Sequence, residues 1–378
     1  MRISDGTVLL ARGGLQAADL SLAGGLIQVG GARGGAAFDA TGLLVLPRIV
    51  DLHGDAFERQ VQPRPGVGFP LGLALRDTES QLLANGITTA FHGVTLSWEP
   101  GLRGLPAWRT LLAALDAGTW TCDMRVHLRW EAYNLDALDT AVADIEAGRV
   151  HLLAFNDHTP AILQKLHDPI EGVKYAGRAG MKMPAFQALA IQVADRSPEI
   201  PAALARIAAA AQRAGLPMAS HDDGTIAARD RFRQLGARIC EFPMAEEVGA
   251  AAVAAGDFVA MGCPNVVRGG SHLGWASAAR LAEQGVCTIL TSDYYYPAMV
   301  PAAFEMVRRG KMDLPGAWRL ISENPARAAG LTDRGAIADG KRADLAIVDP
   351  ATHRCVATIA NGKLAFATAA GAARLSRL

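Results

Sequence analysis

The stretch "LVLPRIVDLHGD" (44–55) is an apolar run that ends on two residues able to bind a metal ion, His53 and Asp55. Side chains two positions apart in an extended chain point to the same side, so this imidazole and this carboxylate would face one space. Imidazole nitrogens and carboxylate oxygens are ligands of zinc and of other divalent ions. The spacing therefore predicts a pair of metal ligands where the run ends.

Residues of the same types recur at the ends of other apolar runs. One run ends in Glu131, another is followed by His158, a third ends in a segment that contains His221, and a fourth ends in Asp293. A single histidine in such a position is most often structural, and a single aspartate often caps the following helix. Several of them at equivalent positions in one fold favour a metal site.

Eight apolar runs, most of them separated by helix-like segments, would position these residues. The runs are 48–53, 86–94, 123–131, 150–157, 216–223, 237–243, 258–263 and 287–293. Alternation of strands and helices predicts a parallel α/β fold, and eight strands predict a (β/α)8 barrel of the TIM type over residues 47–339. The functional residues of such barrels come from the carboxyl ends of the strands, which is where the candidate ligands fall.

Both ends of the chain have the pattern of a small β-domain. Residues 1–46 and 340–378 contain short apolar runs separated by glycines and other turn residues, and Asn361-Gly362 is typical of a two-residue hairpin turn. Because the two ends share this pattern, we predict that they pair into one composite β-sandwich domain beside the barrel.

The composition argues against some classes of partner. The 378 residues include 37 Lys and Arg and 37 Asp and Glu, so the net charge of zero gives no general attraction to nucleic acid or membranes. No apolar run reaches the roughly 18 residues of a membrane helix, and the first residues do not resemble a signal peptide. Five cysteines, an odd number without CxxC spacing, favour a reducing, cytoplasmic location over a disulfide framework.

The stretch "VVRGGSHLG" (266–274), which follows the seventh run, is typical of an anion site. Arginine offers a planar fork of donors, and glycines allow backbone N–H groups to approach a phosphate closely. The loops after strands seven and eight of such barrels commonly hold phosphate, although a glycine loop with a solvated arginine would have the same composition. The candidate substrate-binding residues are Arg268, Gly269, Gly270, Ser271, His272, Arg64 and Tyr295.

Several longer motifs together resemble those of a known family. They are "DLHGDAFERQVQPRP", "GITTAFHGV", "RVHLRWE", "ASHDDGT", "PNVVRGGSHLG" and "SDYYYP". From about residue 40 to residue 350 the chain resembles the amidohydrolase superfamily and, within it, the PhnM family, which hydrolyses α-D-ribose 1-methylphosphonate 5-triphosphate in phosphonate metabolism. The resemblance implies a metal-dependent hydrolase that acts on a small phosphorylated sugar and releases pyrophosphate.

Resemblance and strand position together suggest the ligand set. We expect one or two divalent ions, zinc first, with manganese or iron as alternatives. One ion would lie on His53, Asp55 and Asp293, a second on His158 and His221, with Glu131 between them. Asp55 stands where the superfamily usually has a second histidine, and no strand-end lysine is available as a bridge. The resemblance implies that Glu131 could bridge instead, as in glutamate-bridged members of the superfamily. Glu241 ends the sixth run, where the superfamily often has a histidine ligand, and would orient a ligand or a water.

The implied reaction is hydrolysis of a phosphoanhydride. The ions would lower the pKa of a bound water, Asp293 would accept its proton, and Arg268 would stabilise the charge that builds on the phosphoryl oxygens. A deacetylase or deaminase acting on a C–N bond is the alternative enzyme. A catalytically silent anion-binding protein is the alternative outside enzymes, and the sequence is compatible with a homo-oligomer.

Overall fold

Two β-sheets organise the computed structural model, which describes residues 1–12, 14–30, 36–64, 66–168, 170–271, 274–310 and 312–376. In chain order the strands are β1 (Arg2–Leu10), β2 (Gly14–Ala23), β3 (Leu26–Val29), β4 (Ala37–Asp39), β5 (Leu44–Pro47), β6 (Ile49–Gly54), β7 (Ile87–Leu96), β8 (Asp123–Glu131), β9 (Leu152–Asn156), β10 (Met218–His221), β11 (Ile239–Glu241), β12 (Phe258–Gly262), β13 (Ile289–Thr291), β14 (Leu345–Asp349), β15 (Arg354–Ala360), β16 (Lys363–Ala367) and β17 (Leu375–Ser376). The helices are α1 (Glu58–Val61), α2 (Leu71–Ala84), α3 (Leu105–Ala117), α4 (Leu138–Glu146), α5 (Thr159–Gln164), α6 (Glu171–Arg178), α7 (Met183–Asp195), α8 (Ile200–Arg213), α9 (Ile226–Gln234), α10 (Glu246–Ala254), α11 (Cys263–Arg268), α12 (Ala278–Glu283), α13 (Met299–Arg308), α14 (Leu314–Arg319), α15 (Glu323–Ala328) and α16 (Ala369–Ala372). Within these ranges, no helix combines the length and the apolar character needed to cross a bilayer.

Strands β6 to β13 lie side by side in chain order and form the predicted barrel. The barrel closes where β6 meets the end of β13. The Asp293 N–H donates to the His53 carbonyl oxygen at 2.9 Å, and the Asp55 N–H donates to the Asp293 carbonyl oxygen at 2.9 Å. Each predicted run overlaps one of these strands, so the (β/α)8 prediction is confirmed. Parallel strands covered by helices are buried on both faces, and every residue of β7 is buried.

The side chains buried in the barrel change in character along the strands. One core cluster is apolar and includes Val50, Leu52, Phe91, Leu152, Ala154, Ala219, Ile239, Ala260 and Ile289. Toward the carboxyl ends the buried side chains become polar or charged, namely His53, His127, Arg129, Glu131, His221 and Glu241. Burying such groups costs free energy unless they are hydrogen-bonded or paired, so these residues of the barrel mouth are selected for something other than packing.

The two chain ends share the second sheet, as their common pattern predicts. Its strand order is β16-β15-β14-β5-β1-β2-β3, and β4 pairs with both β1 and β17. Strand β14 pairs antiparallel with β5, which joins the two ends directly. The β15–β16 hairpin turns at Asn361 and Gly362 with φ of 49° and 74°, the left-handed backbone that this residue pair favours. The domain limits at 46/47 and 339/340 stay a prediction.

Helices α5, α6 and α7 form a small unit after β9 with a core cluster of its own. The unit attaches to the segment that follows β7. There the Trp98 and Phe186 rings stack with 5.7 Å between centroids, and the Arg178 guanidinium donates to Glu99 Oε1 at 2.5 Å. Because Trp98 and Glu99 follow a barrel strand at its carboxyl end, the unit lies on the same side of the barrel as the candidate site.

Candidate metal centre and phosphate site

The predicted metal ligands converge at the carboxyl end of the barrel. His53 lies in β6, Glu131 ends β8 and His221 ends β10, while His158 and Asp293 follow β9 and β13 by two residues. A cavity with an empty volume of about 780 Å³ opens at this end. Its lining includes His53, Asp55, His221 and Asp293, and also Arg129 and Asp222. Residues that are more than 200 positions apart in sequence therefore share one space.

Glu241 lies at the centre of the cluster of buried histidines. Its Oε2 atom is 3.1 Å from His53 Nδ1 and 3.2 Å from His221 Nδ1, and 3.7 Å from His127 Nε2. The His53 and His221 rings are stacked, with 5.1 Å between centroids. If each Nδ1 carries the proton that it donates to the carboxylate, the Nε2 atom of each ring is left as a ligand, as in many metal sites.

The buried groups in this cluster fit a divalent cation. Glu241 is fully buried, and its Oε1 atom has no hydrogen-bond partner among the described residues. A buried carboxylate oxygen without a donor is costly, and a cation would satisfy it. Ligand atoms of His53, His221 and Glu241 lie within 4.8 Å of one another, close enough to share an ion.

A second group of potential ligands consists of His158, His221 and Asp222. His158 Nε2 is 3.3 Å from Asp222 Oδ2, and His221 Nε2 is 3.6 Å from Asp222 Oδ1. His221 thus belongs to both groups, and the structure groups His53 with His221 and Glu241. The expected division of ligands between two ions stays a prediction. Asp222 directly follows His221 at the end of its run, in "SHDD", but was not predicted as a ligand.

Two carboxylates in the cavity hold their protons more tightly than usual. Burial, reinforced by the charge of Asp55, raises the pKa of Asp293 to about 7. Burial also raises the pKa of Asp55, against the lowering effect of Arg129. Neighbouring carboxylates that resist ionisation are the ones that a cation stabilises in the charged form. Asp55 and Asp293 therefore fit a cation as well as the histidine cluster does.

Glu131 holds the start of helix α5 and with it His158. Its Oε1 atom accepts hydrogen bonds from the Thr159 hydroxyl at 2.8 Å and from the backbone N–H of His158 at 3.1 Å. Its Oε2 atom is 3.3 Å from His158 Nδ1. Burial lowers the pKa of His158, but hydrogen bonds with Asp222 and Glu131 raise it more, to about 9. A bridging role for Glu131 between two ions stays a prediction.

Three residues that follow barrel strands adopt a left-handed backbone. Asp222, Phe242 and Asp293 have φ of 57°, 51° and 56°, which is uncommon for residues other than glycine. Each donates its backbone N–H to the next strand, at 2.9 Å in every case, to the carbonyl oxygens of Glu241, Ala260 and His53 respectively. Strain of this kind persists where the surroundings fix it and is concentrated at functional sites.

Arg129 is a functional candidate that the sequence reading missed. It is 7% exposed and lines the cavity. Its Nη2 atom is 2.7 Å from His221 Nε2, and its Nη1 atom is 3.5 Å from Asp55 Oδ2. The available signal was alternation, because His127, Arg129 and Glu131 occupy every second position of one strand and so face the same side.

The glycines of the predicted anion loop cap a helix. Arg268 is the last residue of α11, and Gly269 has φ of 82°. The Gly269 N–H donates to the Val266 carbonyl oxygen at 3.2 Å, and the Gly270 N–H to that of Asn265 at 2.9 Å. This is a common helix C-terminus. Both N–H groups that were expected to approach an anion are thus used by the helix in this structure.

The remaining predicted substrate-binding residues lie at different distances from the cavity. Gly270 and Ser271 line it, whereas His272 lies outside the described residues. The exposed Arg268 side chain donates from Nη1 to the Tyr294 hydroxyl at 3.3 Å, and Tyr294 lines the cavity. The Arg59 guanidinium lies 5.9 Å from the Tyr294 ring centroid. Tyr294 thus has an arginine on its ring and another on its hydroxyl.

Two other predicted contacts lie outside the cavity lining. Arg64 is exposed, and its backbone forms a bridge with Val67. Tyr295 is 50% exposed. Its neighbour Tyr296 is buried in the core, so Tyr294 is the tyrosine of "SDYYYP" that faces the cavity. The roles of Arg64 and Tyr295 in binding stay predictions.

A barrel with histidines and carboxylates at its mouth, beside a sheet made by both chain ends, defines the class of metal-dependent barrel hydrolases. The model of the amidohydrolase family (Amidohydro_3) matches residues 73–366. The chain belongs to this family and, within it, to the group of the alpha-D-ribose 1-methylphosphonate 5-triphosphate diphosphatase of Escherichia coli strain K12. It is similar to that enzyme with 33% identity over 323 residues, which are 82% of this chain and 84% of the relative.

Solved structures share the fold at low sequence identity. The N-acetylglucosamine-6-phosphate deacetylase from Pasteurella multocida has a TM-score of 0.64 and 11% identity, over 97% of this chain and 99% of that one. The 5-methylcytosine deaminase from Klebsiella pneumoniae has a TM-score of 0.61 and 16% identity, over 97% and 98%. The dihydropyrimidinase from Brevibacillus agri has a TM-score of 0.59 and 16% identity, over 97% and 95%. These likenesses concern the fold alone.

Proposed function

We propose that this protein hydrolyses α-D-ribose 1-methylphosphonate 5-triphosphate and releases pyrophosphate, as a step in phosphonate breakdown. The observation that carries the proposal is the 33% identity to the Escherichia coli diphosphatase over 82% of the chain. The cavity supports it, because its carboxylates and imidazoles lie beside Arg129 and Tyr294, and Arg59 and Arg268 contact Tyr294 at the cavity edge. A cytoplasmic location and a homo-oligomer stay predictions.

The metal would be held by Nε2 of His53 and of His221, whose rings Glu241 orients, with Asp55 and Asp293 beside them, and a second ion by His158 and Asp222. Mixed imidazole and carboxylate donors suit zinc, and also manganese or iron. A bound divalent ion lowers the pKa of a coordinated water, which makes that water a nucleophile near neutral pH.

Asp293 is our candidate for the residue that receives the proton of the attacking water. It lines the cavity beside His53, Asp55 and His221. A bound cation would favour the ionised form of this carboxylate, and an ionised carboxylate next to the attacking water can accept its proton. The water oxygen bonds to the α-phosphorus, and the bond to the pyrophosphate oxygen breaks.

The polyphosphate would extend from the cavity floor toward Tyr294. Because the protein has no net charge, local cations must attract a polyanion. Arg268 and Arg59 both contact Tyr294 at the cavity edge, where they can bind the outer phosphates. Exposed arginines bind phosphate through their planar fork of donors with modest energies.

A direct assay tests the proposal. The purified, metal-loaded protein is incubated with the ribosyl triphosphate, with nucleoside triphosphates, with N-acetylated sugars and with dihydropyrimidine or cytosine substrates. We expect pyrophosphate from the ribosyl triphosphate at the highest kcat/KM. Free amine or ammonia from the C–N substrates, without pyrophosphate from any triphosphate, would replace the proposal with the deacetylase or deaminase alternative.

A further inference from the structure

Arg129 is a buried cation whose hydrogen bonds within the protein are incomplete. Its guanidinium has five N–H donors and stays charged in proteins. Its Nη2 group donates to His221 Nε2 at 2.7 Å, its Nη1 is 3.5 Å from Asp55 Oδ2, and its Nε has no partner among the described residues. Nε is enclosed by protein atoms, but Nη1 and Nη2 carry four N–H bonds between them and make these two contacts among the described residues, so the Nη groups have capacity for a further acceptor.

The cavity is the space in which that acceptor can bind. Arg129 lines it together with His53, Asp55, His221 and Asp293. A Cβ atom added at Gly93 would lie 3.4 Å from both Arg129 Cδ and His53 Nε2, so the arginine side chain runs directly beside a predicted metal ligand. A molecule that reaches the predicted metal centre therefore also reaches the guanidinium.

The hydrogen bond to His221 conflicts with metal binding. The Nε2 lone pair of His221 cannot accept a proton from Arg129 and bind an ion at the same time. A cation at this nitrogen must break the contact, and the released Nη2 group then adds to the open donor capacity of Arg129. The neighbouring positive charge also disfavours the ion, so Arg129 lowers metal affinity while it remains available to an anion.

We propose that Arg129 is a catalytic residue that binds the phosphoryl group under attack and stabilises its developing charge. This inference rests on the proposed function and deepens it. It assigns the α-phosphate to Arg129 inside the cavity and the outer phosphates to Arg268 at the cavity edge. The water oxygen bonds to the α-phosphorus, and the P–O bond to pyrophosphate breaks with its electron pair on the leaving oxygen. In the transition state between these two bonds, Arg129 donates to the oxygens of the α-phosphoryl group. Arginines that contact the transferred group act in this way in phosphoryl transfer.

The test compares Arg129→Met and Arg129→Lys with Arg125→Met. Arg125 lies on the same strand four residues earlier, stacks over Phe91 and pairs with Asp123, so its substitution removes the same charge far from the cavity. All variants are checked for folding by circular dichroism and thermal unfolding. The measurements are kcat and KM for the ribosyl triphosphate, the Kd for inorganic tripolyphosphate by calorimetry, and zinc affinity in competition with a chelator.

For Arg129→Met we expect kcat to fall roughly 100- to 1000-fold, the usual effect of removing a donor that stabilises transition-state charge. Tripolyphosphate should bind several-fold more weakly and zinc several-fold more tightly. Arg129→Lys should recover part of kcat, and Arg125→Met should match the wild type. A merely structural arginine would not move phosphate and zinc affinity in opposite directions.

Two outcomes would overturn the inference, and a third concerns the proposed function. If Arg129→Met retains kcat within about threefold of an active wild type, Arg129 does not contact the transition state. If the folded variant binds zinc more weakly, the arginine supports the metal site instead. If the wild type releases no pyrophosphate from any triphosphate, the proposed function itself fails, which is a distinct result.

Discussion

The backbone N–H of Asp293 donates to the carbonyl oxygen of His53 at 2.9 Å. This contact joins the last barrel strand to the first, and the side chain of each of the two residues is a predicted metal ligand. Closure of the barrel therefore fixes the distance between two ligands that lie 240 positions apart in sequence. The ligand geometry is a consequence of the fold and does not require a flexible loop to close over the ion.

Glu241→Gln should weaken metal binding. The change keeps the shape of the side chain but removes the charge that faces Nδ1 of His53 and of His221. Loss of a carboxylate that orients metal-binding histidines typically costs 10- to 100-fold in affinity. Zinc affinity measured with a chromophoric chelator checks this, with the exposed Glu247→Gln as the matched control. Unchanged affinity would show that Glu241 neither binds nor orients.

Arg268→Ala should raise KM for the triphosphate more than it lowers kcat. The exposed guanidinium contacts Tyr294 at the cavity edge, and loss of one charged hydrogen bond corresponds to roughly a tenfold to hundredfold change in kcat/KM. Arg268→Lys should recover only part of the lost kcat/KM, because lysine keeps the charge but lacks the planar fork. Steady-state kinetics at low and high salt checks this, with Arg280→Ala as the control. Wild-type kinetics in the Ala variant would exclude Arg268 from phosphate binding.

His92→Leu should make stability less dependent on pH below neutrality. Burial lowers the pKa of His92 to about 4, and neither ring nitrogen has a partner among the residues that the structure describes. The unfolded chain therefore binds a proton near pH 6.5 that the folded chain refuses until about pH 4. Protonation therefore favours the unfolded chain between these two pKa values. The free energy of unfolding falls by about 3 kcal/mol in total as the pH drops from neutrality through this window.

Urea unfolding at pH 7.5 and pH 5 measures this effect. The fall in unfolding midpoint between the two values should be smaller in His92→Leu than in the wild type. The exposed His167→Leu serves as control and should keep the wild-type fall. An identical fall in all three proteins would mean that His92 is protonated in the folded state as easily as in the unfolded chain.

Deleting residues 352–378 should loosen the first strands of the chain. Strand β17 pairs with β4, and β15 covers β14, which in turn pairs with β5. Removing β15 to β17 leaves β4 and β14 without these partners, and β14 is the strand that pairs with β5. Amide exchange in residues 37–47, which include β4 and β5, should therefore become faster. Mass spectrometry of the exchanged protein checks this, with α8 as an internal reference. Unchanged protection in residues 37–47 would show that the N-terminal strands fold without the C-terminal ones.

The sequence was sufficient for the elements but not for the contacts between them. Apolar runs predicted the eight barrel strands, and the rule that function lies at their carboxyl ends predicted that His53, His221 and Asp293 share the barrel mouth, where all three line the cavity. Arg129 and Asp222 were not assigned to the site, because their significance depends on which side chains lie opposite them across the barrel. Alternation places Arg129 on the same face as His127 and Glu131, but it does not tell which groups this face meets.

The glycines after Arg268 show a different limit. A glycine with positive φ serves a helix C-terminus as well as an anion-binding loop, and the composition "RGG" is compatible with both. The structure uses the two N–H groups to end α11. A proline at the first helical turn, Pro264, followed by the glycines is the pattern that favours a short helix over a loop.

The most direct test of the proposed function is the stoichiometry of pyrophosphate release. The metal-loaded protein is given α-D-ribose 1-methylphosphonate 5-triphosphate, and products are followed by phosphorus NMR with and without a chelator. We expect one pyrophosphate and one ribosyl 5-phosphate per substrate consumed, with turnover lost on chelation and restored by zinc, manganese or iron. Release of single phosphates, turnover that survives complete metal removal, or no reaction with this triphosphate beside rapid cleavage of a C–N bond would contradict it.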